Sequence, residues 1–379
     1  MNSSTSPKKP LEIGIYTLGD HVPHPITGDR ISQEQRVNEI IRYGIEAEAA
    51  GLDLFSVGES HQPYFTSQAH TVILAAIAQA TSKIKLSSAA TIVSTSDPVR
   101  IFEDFATLDL ISKGRMEIIA GRASRVGLFD LLGYNMRDYE ALFEEKFELL
   151  RQINEDLIIN WEGEFRAPLK NASILPRPYQ NRKLTIWRAV GGHRTSAIQA
   201  GRQGAPIFLA HLTGPVDIHL ANIQSYREAL EESGYQNQDF PVATAGMLYV
   251  AETSQKARQE AYTFISKGFT FSNGQEFPKR AFAQSENLND ILNVGSPQEI
   301  VEKILYQYET FGISRYVAQI DFGGIPFEHL MKNLELLEAK VLPAVRRYTG
   351  QKAADQAEPT DHAKFRETVQ ELTKEKEVE

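Results

Sequence analysis

Three short stretches of this chain hold the residue types that can bind an anion or move a proton. Gly58-Glu59-Ser60-His61 offers an imidazole, which titrates near neutral pH, beside a serine hydroxyl that exchanges hydrogen bonds but keeps its proton there. Val190-Gly191-Gly192-His193-Arg194-Thr195-Ser196 closes an apolar run and opens a helical one. Glycines let a phosphate approach the backbone, and the amides and hydroxyls of Thr195 and Ser196 can face it from a helix start. Arg122 follows another apolar run and can close on the same anion with a charge-assisted pair. Each stretch also has a plainer reading: His61 as a structural histidine bonded to a carbonyl, the two glycines as a tight turn, Arg122 as a salt-bridge partner. What favours chemistry is that all of them fall at the ends of predicted strands, on one rim.

Those ends belong to a regular alternation. Leu11–Leu18, Leu52–Val57, Ile84–Ala90, Arg115–Gly121, Leu184–Val190, Ala205–Ala210, Val242–Val250 and Arg315–Phe322 are short apolar runs, each followed by a segment of helical period. Eight strands with intervening helices predict an α/β fold of the (β/α)8 TIM-barrel type, in which ligand groups sit at the C-terminal strand ends. A helix over Pro98–Ser112 starts with Asp97 as N-cap and proline at its first position, and Lys113-Gly114-Arg115 reads as its C-cap. Two connections are too long for plain loops. Residues 155–182 contain the hairpin-like WEGEF, and 272–295 are polar with little periodicity; both are expected to cover or shape the site. Tyr16, Tyr64 and Phe65 are candidate pocket walls. Residues 1–10 form a polar segment, 11–349 a single barrel domain, and 350–379 a charged tail expected to be poorly ordered.

Composition narrows the partners. A 379-residue chain that is 42% hydrophobic and 23% charged is an ordinary globular protein, and a net charge of −9 argues against nucleic acid, which needs a positive field. There is no cysteine, hence no disulfide, thiolate metal site or thiol nucleophile. The histidines at 21, 24, 70, 211, 219, 329 and 362 are scattered without paired carboxylates at ligand spacing, so no metal is expected. No predicted strand leads into Gly-x-Gly-x-x-Gly, so a Rossmann-bound nicotinamide is not supported. With no signal-like apolar core near Met1 and no run of the ~20 apolar residues a bilayer requires, the expected location is the cytoplasm, away from membranes.

The order and spacing of a set of motifs carry a resemblance. They are Val57-Gly58-Glu59-Ser60-His61, Ala89-Ala90, Asp97-Pro98-Val99-Arg100, Asp109, Ser112-Lys113-Gly114-Arg115, Arg122, Ala189-Val190-Gly191-Gly192, Val294-Gly295-Ser296-Pro297 and Gln319 through Gly324. From roughly Leu11 to Gly350 the chain resembles the luciferase-like, flavin-dependent monooxygenase family. The resemblance implies FMN as cofactor, its phosphate held by Arg122 and the loop of Gly191, Gly192, Thr195 and Ser196. It also implies a non-prolyl cis peptide at Ala89-Ala90 beside the isoalloxazine ring. The reaction implied is oxygenation of a small organic substrate by reduced flavin and O2, with a separate flavin reductase as supplier and a homodimer formed through early barrel helices such as 36–50. One position departs from the family: relatives commonly show Glu-His-His, with the first histidine tied to flavin hydroperoxide chemistry, whereas this chain has Ser60 there and keeps only His61. Ser60 and His61 are therefore the catalytic candidates. The alternatives are a non-catalytic flavin-binding or storage protein and a deazaflavin-dependent oxidoreductase on the same barrel.

Overall fold

The structure, a computed structural model, describes residues 10–122, 127–210 and 212–354. Eight parallel strands form a closed barrel: β1 Glu12–Thr17, β2 Leu54–Val57, β3 Lys85–Ser88, β4 Met116–Gly121, β5 Thr185–Val190, β6 Ile207–Ala210, β7 Val242–Val250 and β8 Arg315–Gln319. Each pairs with its sequence neighbour, and β8 returns to β1 in the register Glu12↔Arg315 to Tyr16↔Gln319. The strands are nearly continuous apolar runs because both faces are covered. Alternate residues explain the split. Ile13, Ile15, Phe55 and Ile118 pack outward into the large core shared with the helices, while Tyr16, Leu54, Ile119, Trp187, Phe208 and Val317 fill the interior.

A charged layer closes the barrel at the N-terminal strand ends. Arg315 Nη1 lies 2.6 Å from Glu117, which also accepts from Trp187 Nε1 at 2.8 Å, and Glu12 and Lys85 complete the group. Burial alone would raise the Glu117 carboxyl, but Arg315, with Lys85 and Trp187, outweighs it and holds the group below the usual carboxylate range. Chemistry is thereby left to the opposite rim.

The helices begin where their caps say. α1 (Gln33–Ala49) is capped by Ser32, and α2 (His70–Ala80) follows β2. α3 (Pro98–Ser112) starts with Asp97 accepting from the Val99 amide at 2.8 Å and ends with Lys113 at φ 56° and Gly114 at φ 89°. After them come α4 (Tyr139–Glu155), α5 (Arg194–Arg202), α6 (Val216–Glu232), α7 (Ser254–Asn273), α8 (Pro297–Phe311) with a Ser296/Glu299 capping box, and α9 (Phe327–Leu336), which continues to Ala354. Among the described residues no helix is long and apolar enough to cross a membrane. Residues 1–9 and 355–379, most of the two predicted terminal segments, lie outside the described residues.

The insertions shape the rim rather than cover it: Phe165 of the first packs against the cluster that holds Ile92 and Leu128, and Asp290 of the second bridges to Pro215, in the segment after β6. The first joins α4 to β5, at the end of the barrel remote from the rim. Its hairpin (Ile159–Trp161 with Leu169–Ala172) runs outside α4, its tip tied to Glu145 through the Glu164 amide at 2.7 Å and to Asp97 through Arg166 at 3.3 Å. The second is more regular than its composition predicts: α7 runs into it, Lys279–Ala283 is helical, and Asn293–Gly295 pairs with the end of β7. The buried Lys303 anchors it, donating to the Ser285 and Asn287 carbonyls at 2.6 and 3.1 Å.

Candidate functional site

A cleft of about 360 Å³ opens at the C-terminal rim, and it gathers side chains from six of the eight strands or the turns that follow them. Its lining runs through Tyr16, Leu18, Glu59, Ser60, His61, Gln62, Ala89, Ala90, Ile92, Gly121, Arg122, Leu128, Ala189, Phe208, Ala210 and Leu212. Its floor is small and uncharged. β3 ends at Ser88, two residues before the sequence predicts, because the Ala89-Ala90 peptide is cis, and the chain then resumes pairing at Thr91–Ile92 beside β4. Two glycines permit this path: a Cβ on Gly58 would stand 2.3 Å from the Ala89 carbonyl oxygen, and one on Gly121 would stand 2.7 Å from Ala90 Cβ. With Ala189 they leave a flat patch of backbone and methyl groups.

At one end the cleft turns cationic. Arg122 leaves β4 with Nη2 donating to Ser196 Oγ at 2.6 Å and Nη1 paired with the exposed Glu140; its guanidinium lies over the rings of Phe143 and Tyr139. Ser196 stands in the first turn of α5, its own amide donating to the His193 carbonyl at 3.1 Å; His193, the N-cap, makes no side-chain capping bond, so the amides of Arg194 and Thr195 are the ones left to face an anion. Nothing lies within 4 Å of where a Gly191 Cβ would be. Arg194 is drawn away from the site by Ser225 at 2.6 Å.

At the other end stands the β2 turn. His61 Nε2 is 2.8 Å from Glu59 Oε1, and Glu59 Oε2 accepts the Ile92 amide at 2.7 Å. Behind them His70 is buried, with Nε2 2.8 Å from Thr91 Oγ1. Burial lowers its pKa against the opposing pull of Glu59. Ser60 Oγ donates to Gln62 Oε1 at 3.1 Å.

Of the residues singled out in the sequence, Ser60, His61, Ala89, Ala90 and Arg122 line this one cleft, and Ser196 joins it through Arg122. Gly191, Gly192 and Thr195 sit beside it at the start of α5 without lining it. Tyr16 is a wall; Tyr64 and Phe65 are not: their rings pack against each other, tilted by 52° with centroids 4.8 Å apart, and Phe65 is buried. Sequence reasoning missed Glu59 as the partner of His61, and it missed Phe208 and Ala189. The period-two alternation along β5 and β6, which points Trp187, Ala189, Phe208 and Ala210 inward, carried that signal. Among the described residues no cluster of His, Asp and Glu could hold a metal. A second cleft, of about 420 Å³, lies between residues 20–39 and 324–328, and none of the candidate residues reaches it.

Comparison with known proteins follows the same outline. The sequence model of a family described as luciferase-like monooxygenase matches residues 11–315. The chain is 23% identical over 343 residues to the alkanal monooxygenase alpha chain of Photorhabdus luminescens, covering 84% of this chain and 94% of that one. Solved structures share the barrel. The oxygenating constituent of 3,6-diketocamphane monooxygenase from Pseudomonas putida, a type II Baeyer-Villiger monooxygenase in complex with FMN, superposes with a TM-score of 0.71 at 18% identity, over 88% of this chain and 99% of that one. The coenzyme F420 dependent tetrahydromethanopterin reductase of Methanopyrus kandleri does so with a TM-score of 0.67 at 19% identity and the same coverage. At these identities the structural likeness speaks for the fold.

Proposed function

Because this chain belongs to the luciferase-like monooxygenase family, we propose that it is an FMN-dependent monooxygenase acting on a small organic substrate. The observation that carries the reading is the 2.6 Å contact between Arg122 and Ser196 at an uncapped helix start, on the rim of a cleft with an uncharged floor. An FMN phosphate fits those groups: the guanidinium and the Ser196 hydroxyl supply charge-assisted and neutral donors, the first amides of α5 supply more, and the open space at Gly191 admits the anion to the backbone. The planar ring fits the patch of Ala89, Ala90, Gly121 and Ala189, where no side chain longer than a methyl intervenes. When bound, reduced FMN supplies the electrons that activate O2.

The chain's own residues then bind, orient and exclude water. Tyr16, Leu18, Ile92, Leu128, Phe208 and Leu212 give the cleft apolar walls, which suit an uncharged substrate and keep water from the reacting face. His61, on the rim, is the group whose imidazole can take up or return a proton; Ser60 can only orient a hydrogen bond. Reduced FMN reaches this cleft from a separate reductase, and the working form in this reading is a homodimer joined through early barrel helices including α1.

The test is to mix anaerobically reduced FMN and the protein with oxygenated buffer and candidate substrates, then quantify oxygenated product and hydrogen peroxide. Product formed in proportion to FMN oxidised supports the proposal. Tight FMN binding with peroxide as the sole outcome across substrate classes would favour the storage protein that Ser60 makes credible. Binding of a deazaflavin in preference to FMN would favour the F420-type oxidoreductase seen on the same barrel.

A further inference from the structure

We propose that Glu59 is the positioning residue of this site: its carboxylate fixes His61 in the tautomer that carries hydrogen on Nε2, so that the ring meets the cleft with the Nδ1 lone pair. The consequence for catalysis rests on the monooxygenase reading above, whereas the tautomer itself does not.

The geometry leaves little freedom. A carboxylate only accepts hydrogen bonds, so the 2.8 Å contact from Glu59 Oε1 requires a hydrogen on His61 Nε2, and a neutral imidazole then has its acceptor at Nδ1. That atom has no hydrogen-bond partner among the described residues, and His61 lines the cleft with its side chain 15% exposed. Glu59 cannot swing away to release the ring. Its other oxygen accepts the Ile92 amide at 2.7 Å, and its own amide donates to the Ala90 carbonyl at 2.9 Å. Backbone and carboxylate of the residue that orients His61 are therefore both held to the chain that leaves the Ala89-Ala90 floor.

The surrounding charges do not compete. His70 Nδ1 stands 4.0 Å from Glu59 Oε2, but His70 is buried with its pKa lowered, and its Nε2 is engaged by Thr91. It is neutral near pH 7. Arg122, the nearest permanent cation lining the cleft, is paired with Glu140, and Tyr16 completes the titratable groups that line it. A proton accepted at Nδ1 leaves the Nε2 hydrogen in place and puts the new positive charge beside Glu59, which stabilises the imidazolium. This is the base-and-orienter logic of nucleophilic triads, applied to a proton acceptor on a barrel rim. It also gives a reason for His61, rather than Ser60, to handle the proton: Ser60 bonds to Gln62 and has no carboxylate behind it.

The test is Glu59→Gln in the full chain. The amide keeps an oxygen for the Ile92 amide but turns a donor toward His61 Nε2, which must then accept, so the hydrogen moves to Nδ1. Two-dimensional NMR of protein labelled with 15N-histidine, with His61→Asn to assign the signal, reads the tautomer directly. The proposal expects Nε2–H in the wild type and Nδ1–H in Glu59→Gln. A wild-type ring with hydrogen on Nδ1, or the same tautomer in both proteins, overturns it; the wild-type reading decides even if the variant fails to fold. In turnover the variant is expected to lose about tenfold or more of its product per FMN oxidised, with FMN affinity within about twofold of wild type. Unchanged product yield would also overturn the positioning role. If the wild type binds no FMN, the monooxygenase reading fails while the tautomer measurement still judges Glu59.

Discussion

Arg122 and Ser196, 74 residues apart in the chain, meet at 2.6 Å across the rim of the barrel. The contact joins the end of β4 to the first turn of α5, and both are fixed by local rules. Arg122 follows Gly121, the last residue of β4, which pairs with Ile92, and Ser196 is buried in the first turn of α5. The second guanidinium nitrogen is held by Glu140, an exposed carboxylate standing where an anionic ligand would compete.

That competition gives a paired prediction. Arg122→Ala should weaken FMN binding by about 1.5–3 kcal/mol, the value of a hydrogen bond to a charged group. Glu140→Gln should leave affinity unchanged or raise it a few-fold, because it frees the guanidinium. Calorimetric titration of the three proteins checks both; equal losses in the two variants would mean that the ion pair, not the arginine alone, builds the site.

Gly58→Ala probes the floor. Its Cβ would stand 2.3 Å from the Ala89 carbonyl oxygen and 2.5 Å from Leu18 Cδ2, and the first of these is a backbone atom that cannot step aside. The expected outcome is a stability loss on the order of 1–3 kcal/mol together with weaker FMN binding, since any relaxation moves the Ala89-Ala90 patch. Urea unfolding and titration of the same preparation measure the two; a stable variant of wild-type affinity would show that the floor has room to spare.

A buried carboxyl predicts a pH dependence. Asp321 is fully buried where β8 meets β1, accepting from Thr17 and, at 2.6 Å, from Arg36. Burial is the largest influence and, with Asp20, outweighs Arg36 and Thr17, leaving the pKa raised to about 7. Unfolded, the group titrates near 4. The native state therefore holds a proton that the unfolded state has lost between those values, so this contribution to stability is full below about pH 4, falls as pH rises toward 7 and levels off above it. The slope approaches about 1.4 kcal/mol per pH unit inside that window. Urea unfolding at pH 5, 6, 7 and 8 should show it in the wild type and a flatter dependence in Asp321→Asn; parallel curves would contradict the assignment.

Much of this arrangement was legible in the residues. All eight strands fall within a few residues of their apolar runs, because a parallel strand covered on both faces leaves an uninterrupted signature that helix caps such as Asp97-Pro98 and Lys113-Gly114 then punctuate. The cleft was legible in part: Arg122 and Ser196 announce themselves by type and by position at strand ends. The Glu59–His61 pair was hidden because a carboxylate two residues from a histidine meets it only when the turn bends back. The insertions were legible in part: residues 272–295 do lie at the rim, beside the end of β7, whereas residues 155–182 follow α4, leave from the far end of the barrel and reach the rim only through the hairpin tip at Phe165.

The central claim is that the cationic end of the cleft holds the phosphate of a flavin mononucleotide, and the most direct measurement compares FMN with riboflavin, the same ring system without phosphate. Calorimetric titration of the wild-type protein should give FMN an affinity at least about tenfold higher, equivalent to one charged hydrogen bond of roughly 1.5 kcal/mol or more, and Arg122→Ala should erase most of the difference. Equal affinities for the two flavins, or no binding of FMN at all, would contradict the account.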